Sequence, residues 1–159
     1  SDSIQRQDFL VMLARYDGVD LTQYKGMSSG FKDVGKGSYY EAAVIWGVEN
    51  GITTGYTDGS GKFGVGDKMT REQLVTFLCR YAKNCKGKNV NVSSAKKSEI
   101  KAKYKDFSSV SLFSQDAIYW AVSNGVINGK TDTTVVPQGN AQRCEVAKIM
   151  YNIFLNEIF

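Results

Sequence analysis

The chain has 159 residues, 42% hydrophobic and 23% charged, which suits one soluble domain or a compact set of small repeats. It contains no histidine, so the commonest general base and metal ligand are both missing, and neither a catalytic nor a metal-binding residue is assigned. The net charge of +4 is a local feature: eight lysines fall between Lys83 and Lys105, opposed there only by Glu99.

In chain order, the first predicted element is a helix over Arg6–Tyr16, RQDFLVMLARY, with Leu10, Val11 and Leu13 as its apolar positions. Next comes an aromatic-Lys-Asp-apolar block, FKDV at Phe31–Val34. A helix follows from Ala42, with Ala43, Val44, Gly47 and Val48 on one face and Asn50-Gly51 as its stop. Five glycines between Gly55 and Gly66 mark a loop of turns or a small hairpin. A helix from Arg71 carries Leu74, Leu78 and Tyr81, and Thr70 with Gln73 forms a capping box at its start.

The lysine-rich stretch 85–103 reads as a solvated linker. A nucleic-acid groove would interleave aromatic residues with such charge, and only Tyr104 sits near. After it the same order returns: YKDF at Tyr104–Phe107, a helix from Asp116 bearing Ala117, Ile118, Ala121 and Val122, and a stop at Asn124-Gly125. A turn containing Pro137 leads into a helix from Arg143 with Val146, Ile149, Met150, Ile153 and Phe154 as its stripe. Asp33 and Asp106 are expected to cap the first helix of their units. No run approaches the roughly 20 apolar residues of a membrane span. The three cysteines, Cys79, Cys85 and Cys144, exclude a fully paired framework, and Cys79 and Cys144 are expected to pack.

The repeats organise the whole chain. Arg6 matches Arg71 at an offset of 65 and Arg143 a further 72 along; Trp46 matches Trp120, Gly55 matches Gly129 and Asp58 matches Asp132. The boundaries read as one module over 1–159: the C-terminal half of a first repeat at 1–24, a second repeat at 31–84, the linker at 85–103 and a third repeat at 104–158. The missing first half is expected upstream of Ser1, and any export signal is expected to have been lost or to lie upstream. Three helices with one apolar face each predict an all-α, pseudo-threefold bundle.

All five arginines, Arg6, Arg15, Arg71, Arg80 and Arg143, lie in the repeated second helix. Arg6, Arg71 and Arg143 stand in its first turn, where a cation opposes the helix dipole at a cost of about 0.3–1 kcal/mol. An anion docked there would reverse that sign, since free N–H groups, dipole and guanidinium fork would share one charge. The competing reading is local pairing with Asp8, Glu72 or Glu145. Trp46 and Trp120 likewise admit either stacking on a sugar or packing in the core.

FKDV, YYEAAVIWGVENGITTGYTDG and MTREQLVTFLCRY together resemble the S-layer homology motif. The resemblance implies an all-α module of helix–loop–helix units around a central three-helix bundle. It further implies non-catalytic anchoring of an exported bacterial protein at the cell wall, without a cofactor, through an anionic, often pyruvylated, secondary cell-wall polysaccharide. Its principal ligand contact is the motif arginine, which is Arg71 here and, by repeat alignment, Arg143 and Arg6. The loop residues Gly55, Tyr56 and Asp58 and the matched Trp46 and Trp120 complete the candidate ligand set. This chain departs from the motif at Gln5 and Gln142, which replace Thr70, and at Lys130, which replaces Tyr56. The alternative is a protein-interaction or spacer module on the same scaffold, contacting other surface proteins. A glycosidase would need two carboxylates about 5–10 Å apart across a cleft, whereas Glu49, Asp58, Glu72 and Glu145 follow the repeat. The segment from Asp58 lacks the alternating acidic ligands of a calcium loop.

Overall fold

The computed structural model describes residues 2–159, and the described residues contain α-helices, short 3-10 turns and isolated bridges but no strand. The all-α expectation holds. The chain divides into two compact units, Ile4–Lys68 and Met69–Phe159, the latter joined by residues 2–3.

In the Ile4–Lys68 unit, α1 (Arg6–Asp17) packs on α2 (Glu41–Glu49), and α2 also packs on a 3-10 turn at Leu21–Tyr24. α1 buries Phe9, Leu10, Leu13 and Ala14, a spacing that keeps them on one helical face. Each buried leucine contributes about 1.5–3 kcal/mol. Gly47 makes the close approach possible: a Cβ there would stand 3.2 Å from Leu10 Cδ1. α2 stops at Asn50, whose N–H donates to Trp46 O while Gly51 N–H donates to Val48 O, as the Asn-Gly pair predicts.

In the Met69–Phe159 unit, α3 (Arg71–Lys86) starts at the expected capping box: Gln73 N donates to Thr70 Oγ1, and Thr70 N donates to Gln73 Oε1. α3 lays Leu74, Val75 and Leu78 against α5 (Gln115–Ser123), which buries Ala117, Ile118 and Ala121. Both units therefore pair the second helix of one repeat with the first helix of the next. The lysine-rich stretch is more than a spacer: Ser93 caps α4 (Ser94–Lys103), which is moored by buried Ile100 and Tyr104 and packs on α5. Its polar composition hid an apolar anchor of only two residues.

α6 (Arg143–Leu155) buries Val146, Ile149 and Ile153, but Phe154, assigned to the same stripe, is 73% exposed. Cys79 is buried, whereas Cys144 is exposed on the first turn of α6 and does not pack as expected.

Candidate ligand-binding site

Each second helix begins at its arginine, and the residue before it forms an isolated antiparallel bridge: Gln5 with Lys68, Thr70 with Asn140 and Gln142 with Ser3. These bridges fix the glycine-rich loop of a repeat beside an arginine. The loop is held from its other side by an aspartate. Asp33 accepts three backbone N–H bonds of 2.8 Å, from Phe63, Gly64 and Val65. Asp106 accepts two, from Val135 at 2.9 Å and Val136 at 2.8 Å, and Pro137 has no third to offer. Both aspartates were expected to cap a helix; they cap a loop instead, because the turn brings consecutive N–H groups into one concavity. Burial pushes the Asp33 carboxyl up, but the three N–H bonds outweigh it and leave its pKa below the ordinary value.

In the Ile4–Lys68 unit Arg6 is only 3% exposed. Its Nε donates to Phe63 O at 3.0 Å, and its guanidinium carbon lies 4.6 Å from the Tyr56 ring centroid and 4.8 Å from that of Phe63. Tyr56 hydroxyl donates to Asp67 at 2.6 Å. Burial lowers the Arg6 pKa, while Tyr56, Asp67 and Asp33 pull it back up. Burial and the bond to Asp67 push the Tyr56 phenol up to about 12. The cation is thus enclosed by two rings and a carbonyl.

In the Met69–Phe159 unit Arg71 repeats one half of this arrangement and alters the other. Its Nε donates to Val135 O at 2.9 Å, but its Nη1 bonds Glu145 Oε2 at 3.2 Å, and Lys130 bonds the second oxygen of Glu145. Burial pushes Glu145 up; the Lys130 bond and the Arg71 charge overcome this and leave its pKa below the ordinary value. Beside the pair lies an open pocket of about 230 Å³, lined among others by Asn128, Gly129, Lys130, Glu145 and Lys148. Three cations, Arg71, Lys130 and Lys148, against one carboxylate, Glu145, leave the lining positive.

The remaining sequence candidates fall in different places. Arg143 is exposed at the start of α6, and its N–H donates to Asp2 O at 2.9 Å. Trp46 and Trp120 are each 2% exposed, so neither ring offers a face to a saccharide. Gly55 shapes the loop: its φ is +69°, and a Cβ there would meet the Phe31 ring at 2.3 Å. Asp58 is exposed and accepts from Ser60 N at 2.9 Å.

Sequence reasoning gave no role to Lys148 or Phe63, and weighed Glu72 as a partner for an arginine or as a glycosidase carboxylate. Glu72 is buried and accepts from Ser111 N at 2.9 Å, Ser111 Oγ at 2.6 Å and Ser114 Oγ at 3.0 Å, which ties α3 to the turn before α5. The signal for Lys130 was the departure from Tyr56 at a matched position; nothing in the local pattern singled out Lys148.

A model described as "S-layer homology domain" matches residues 30–75 and 103–147, overlapping the second and third repeats. The chain is 31% identical over 153 residues to an endoglucanase of Bacillus sp. (strain KSM-635), covering 94% of this chain and 15% of that protein. It is 27% identical over 153 residues to an amylopullulanase of Thermoanaerobacterium thermosulfurigenes, covering 95% of this chain and 8% of that protein. It is 26% identical over 155 residues to exoglucanase XynX of Acetivibrio thermocellus, covering 96% of this chain and 13% of that protein. The chain therefore spans less than a fifth of the length of each of these relatives.

Proposed function

The chain belongs to the S-layer homology domain family, and from that premise we propose that its Arg71 pocket grips an anionic, pyruvylated secondary cell-wall polysaccharide. Domains of this family are non-catalytic modules that anchor to the bacterial cell wall by binding its polysaccharide. Among the described residues no helix is long and apolar enough to cross a membrane. Attachment of an exported parent protein at the wall accords with both.

The observation that carries the proposal is the open, positively lined pocket of about 230 Å³ beside a fixed guanidinium. Val135 O and Glu145 hold the Arg71 fork in place, so little side-chain entropy is left to lose on binding. Exposed Lys130 and Lys148 stand at its rim and can meet a carboxylate that arrives from solvent. Glu145 acts as the internal counter-ion that keeps the cluster stable while the site is empty. The Arg6 cradle is the structural member of the set, its cation already enclosed, and Arg143 is the exposed third copy.

Cosedimentation with native sacculi tests this. Lys130→Ala with Lys148→Ala should abolish most retention while leaving the far-UV spectrum unchanged, and acid removal of polymer substituents should release the unaltered protein. Undiminished retention of the double variant refutes the pocket assignment. Arg71→Ala is the companion variant, read for folding as well as binding because its side chain is buried.

A second reading, a protein-interaction module, draws on exposed Tyr151, Phe154 and Leu155 on α6. It predicts no sacculus retention at all, and capture of a surface protein that Phe154→Ser abolishes.

A further inference from the structure

The largest opening among those described does not touch the Arg71 pocket. It has a volume of about 350 Å³ and lies in the Met69–Phe159 unit, walled by α3, the segment 90–92, α4 and the start of α5. It exists because the lysine-rich stretch is folded: Lys88 N donates to Ala82 O at 3.0 Å, Asn91 N to Asn89 Oδ1 at 3.0 Å, and Ser93 caps α4. A solvated linker would leave the outer face of α3 bare. The folded one turns that face into the floor of a cleft.

Its lining is chemically mixed in a definite way. Arg80, Lys83 and Lys97 face Asp116, three cations against one carboxylate. Lys97 Nζ already meets Asp116 Oδ1 at 3.5 Å and lies 5.5 Å from the Tyr119 ring centroid. The one anion is therefore shared, and the lining keeps a positive excess. Burial weakens the hold of Arg80 on its proton and, in the same low-dielectric setting, strengthens its pull on an incoming anion. At the rim Phe113 is 56% exposed, an apolar ring beside hydrogen-bonding Asn91. Cations that range from half-buried Arg80 to exposed Lys83, with an exposed ring and a side-chain amide, match one saccharide ring that bears an acid group. The volume sits at the lower end of the roughly 300–1,000 Å³ of small-molecule sites. An acidic peptide would instead want an extended groove or an unpaired strand edge.

We propose that this cleft, built by α3, α4 and α5 around Arg80, Lys83 and Lys97, is a second binding site for an acidic sugar residue. It is separate from the Arg71 pocket, so the two can fail independently. Carboxylate and phosphate share the required chemistry, and the experiment tells them apart.

The test is an amide NMR titration of the whole chain with methyl β-D-glucuronide, glucose 6-phosphate and methyl β-D-glucoside in turn. At least one acidic sugar should shift amides of residues 76–83, 90–97 and 113–117 saturably, and the neutral glucoside should not. The acidic sugar that binds identifies the group recognised. Lys83→Gln with Lys97→Gln should weaken binding about tenfold, the loss expected for two half-exposed charge contacts, with spectral dispersion retained. The proposal is overturned if neither acidic sugar moves these amides, if the glucoside binds equally well, if the double variant binds unchanged, or if tetraglutamate occupies the cleft more tightly than either sugar. None of these amides lines the Arg71 pocket, so a negative result here leaves the sacculus experiment to stand on its own.

Discussion

The Arg6 cradle and the Arg71 pocket start from the same local plan and end with different chemistry. In both, the arginine opens a helix and its Nε donates to a loop carbonyl, Phe63 O or Val135 O. In the first, Tyr56 and Phe63 close over the guanidinium; in the second, Lys130 and Val135 occupy the matched positions and Glu145 supplies the counter-charge. The lesson is that a repeat conserves the backbone half of a site while side-chain exchange decides whether the cation is sealed or left beside an open pocket. An aromatic pair, with Asp33 and Asp67 nearby, encloses one guanidinium, and a carboxylate shared with two cations leaves room for a further anion beside the other.

The largest effect should come from the loop anchors. Asp33→Ala strands three N–H groups and Asp106→Ala only two, so urea denaturation should show losses of about 3–5 and about 2–3 kcal/mol respectively. Equal losses would show that the third bond is worth nothing. Gly64→Ala should follow, at about 2–3 kcal/mol, because φ there is +99° and a Cβ would meet Tyr56 Oη at 2.5 Å and Arg6 Nε at 2.8 Å.

Exchanging the distinguishing residues sharpens the contrast. Tyr56→Lys removes a ring from over the buried Arg6 guanidinium, brings a second cation beside it and ends the Tyr56 hydroxyl bond to Asp67, and should cost about 1–3 kcal/mol by the same assay. Lys130→Tyr should change stability by less than about 1 kcal/mol and still reduce sacculus binding, since its ammonium is exposed.

The pH responses have opposite signs. Asp33 and Glu145 have folded pKa values below their ordinary ones, so their stabilisation is present above about pH 4 and is lost as pH falls through the folded values. Tyr56 is held up to about 12, so its contribution is intact below its ordinary value near 10 and fades between the two as pH rises. An ultraviolet titration of the protein against Tyr56→Phe should isolate one phenol ionising near 12. The smallest effect is expected at Asp58→Asn, with no measurable shift of the urea midpoint, because that carboxylate is exposed and bonds Ser60 within its own turn.

Much of this was legible beforehand. The capping box at Thr70, the stop at Asn50 and the buried faces around Leu10, Leu74 and Ile118 follow from contacts three or four residues apart, which periodicity records. The reading failed where an element leans on few apolar residues, as α4 does on Ile100 and Tyr104, or where a stripe outruns its cover, as at Phe154. Asp33 and Asp106 were placed on helices because the turn that gathers loop N–H groups leaves no periodic trace.

By itself, then, the amino-acid order determined the repeats, the helices inside them and the setting of an arginine at the head of each second helix. The folded chain alone decided what each guanidinium meets: Phe63 lies 57 residues from Arg6, and Val135 lies 64 from Arg71. Helix formation responds to neighbours within one turn, whereas the fate of a buried charge depends on whatever distant groups replace its water.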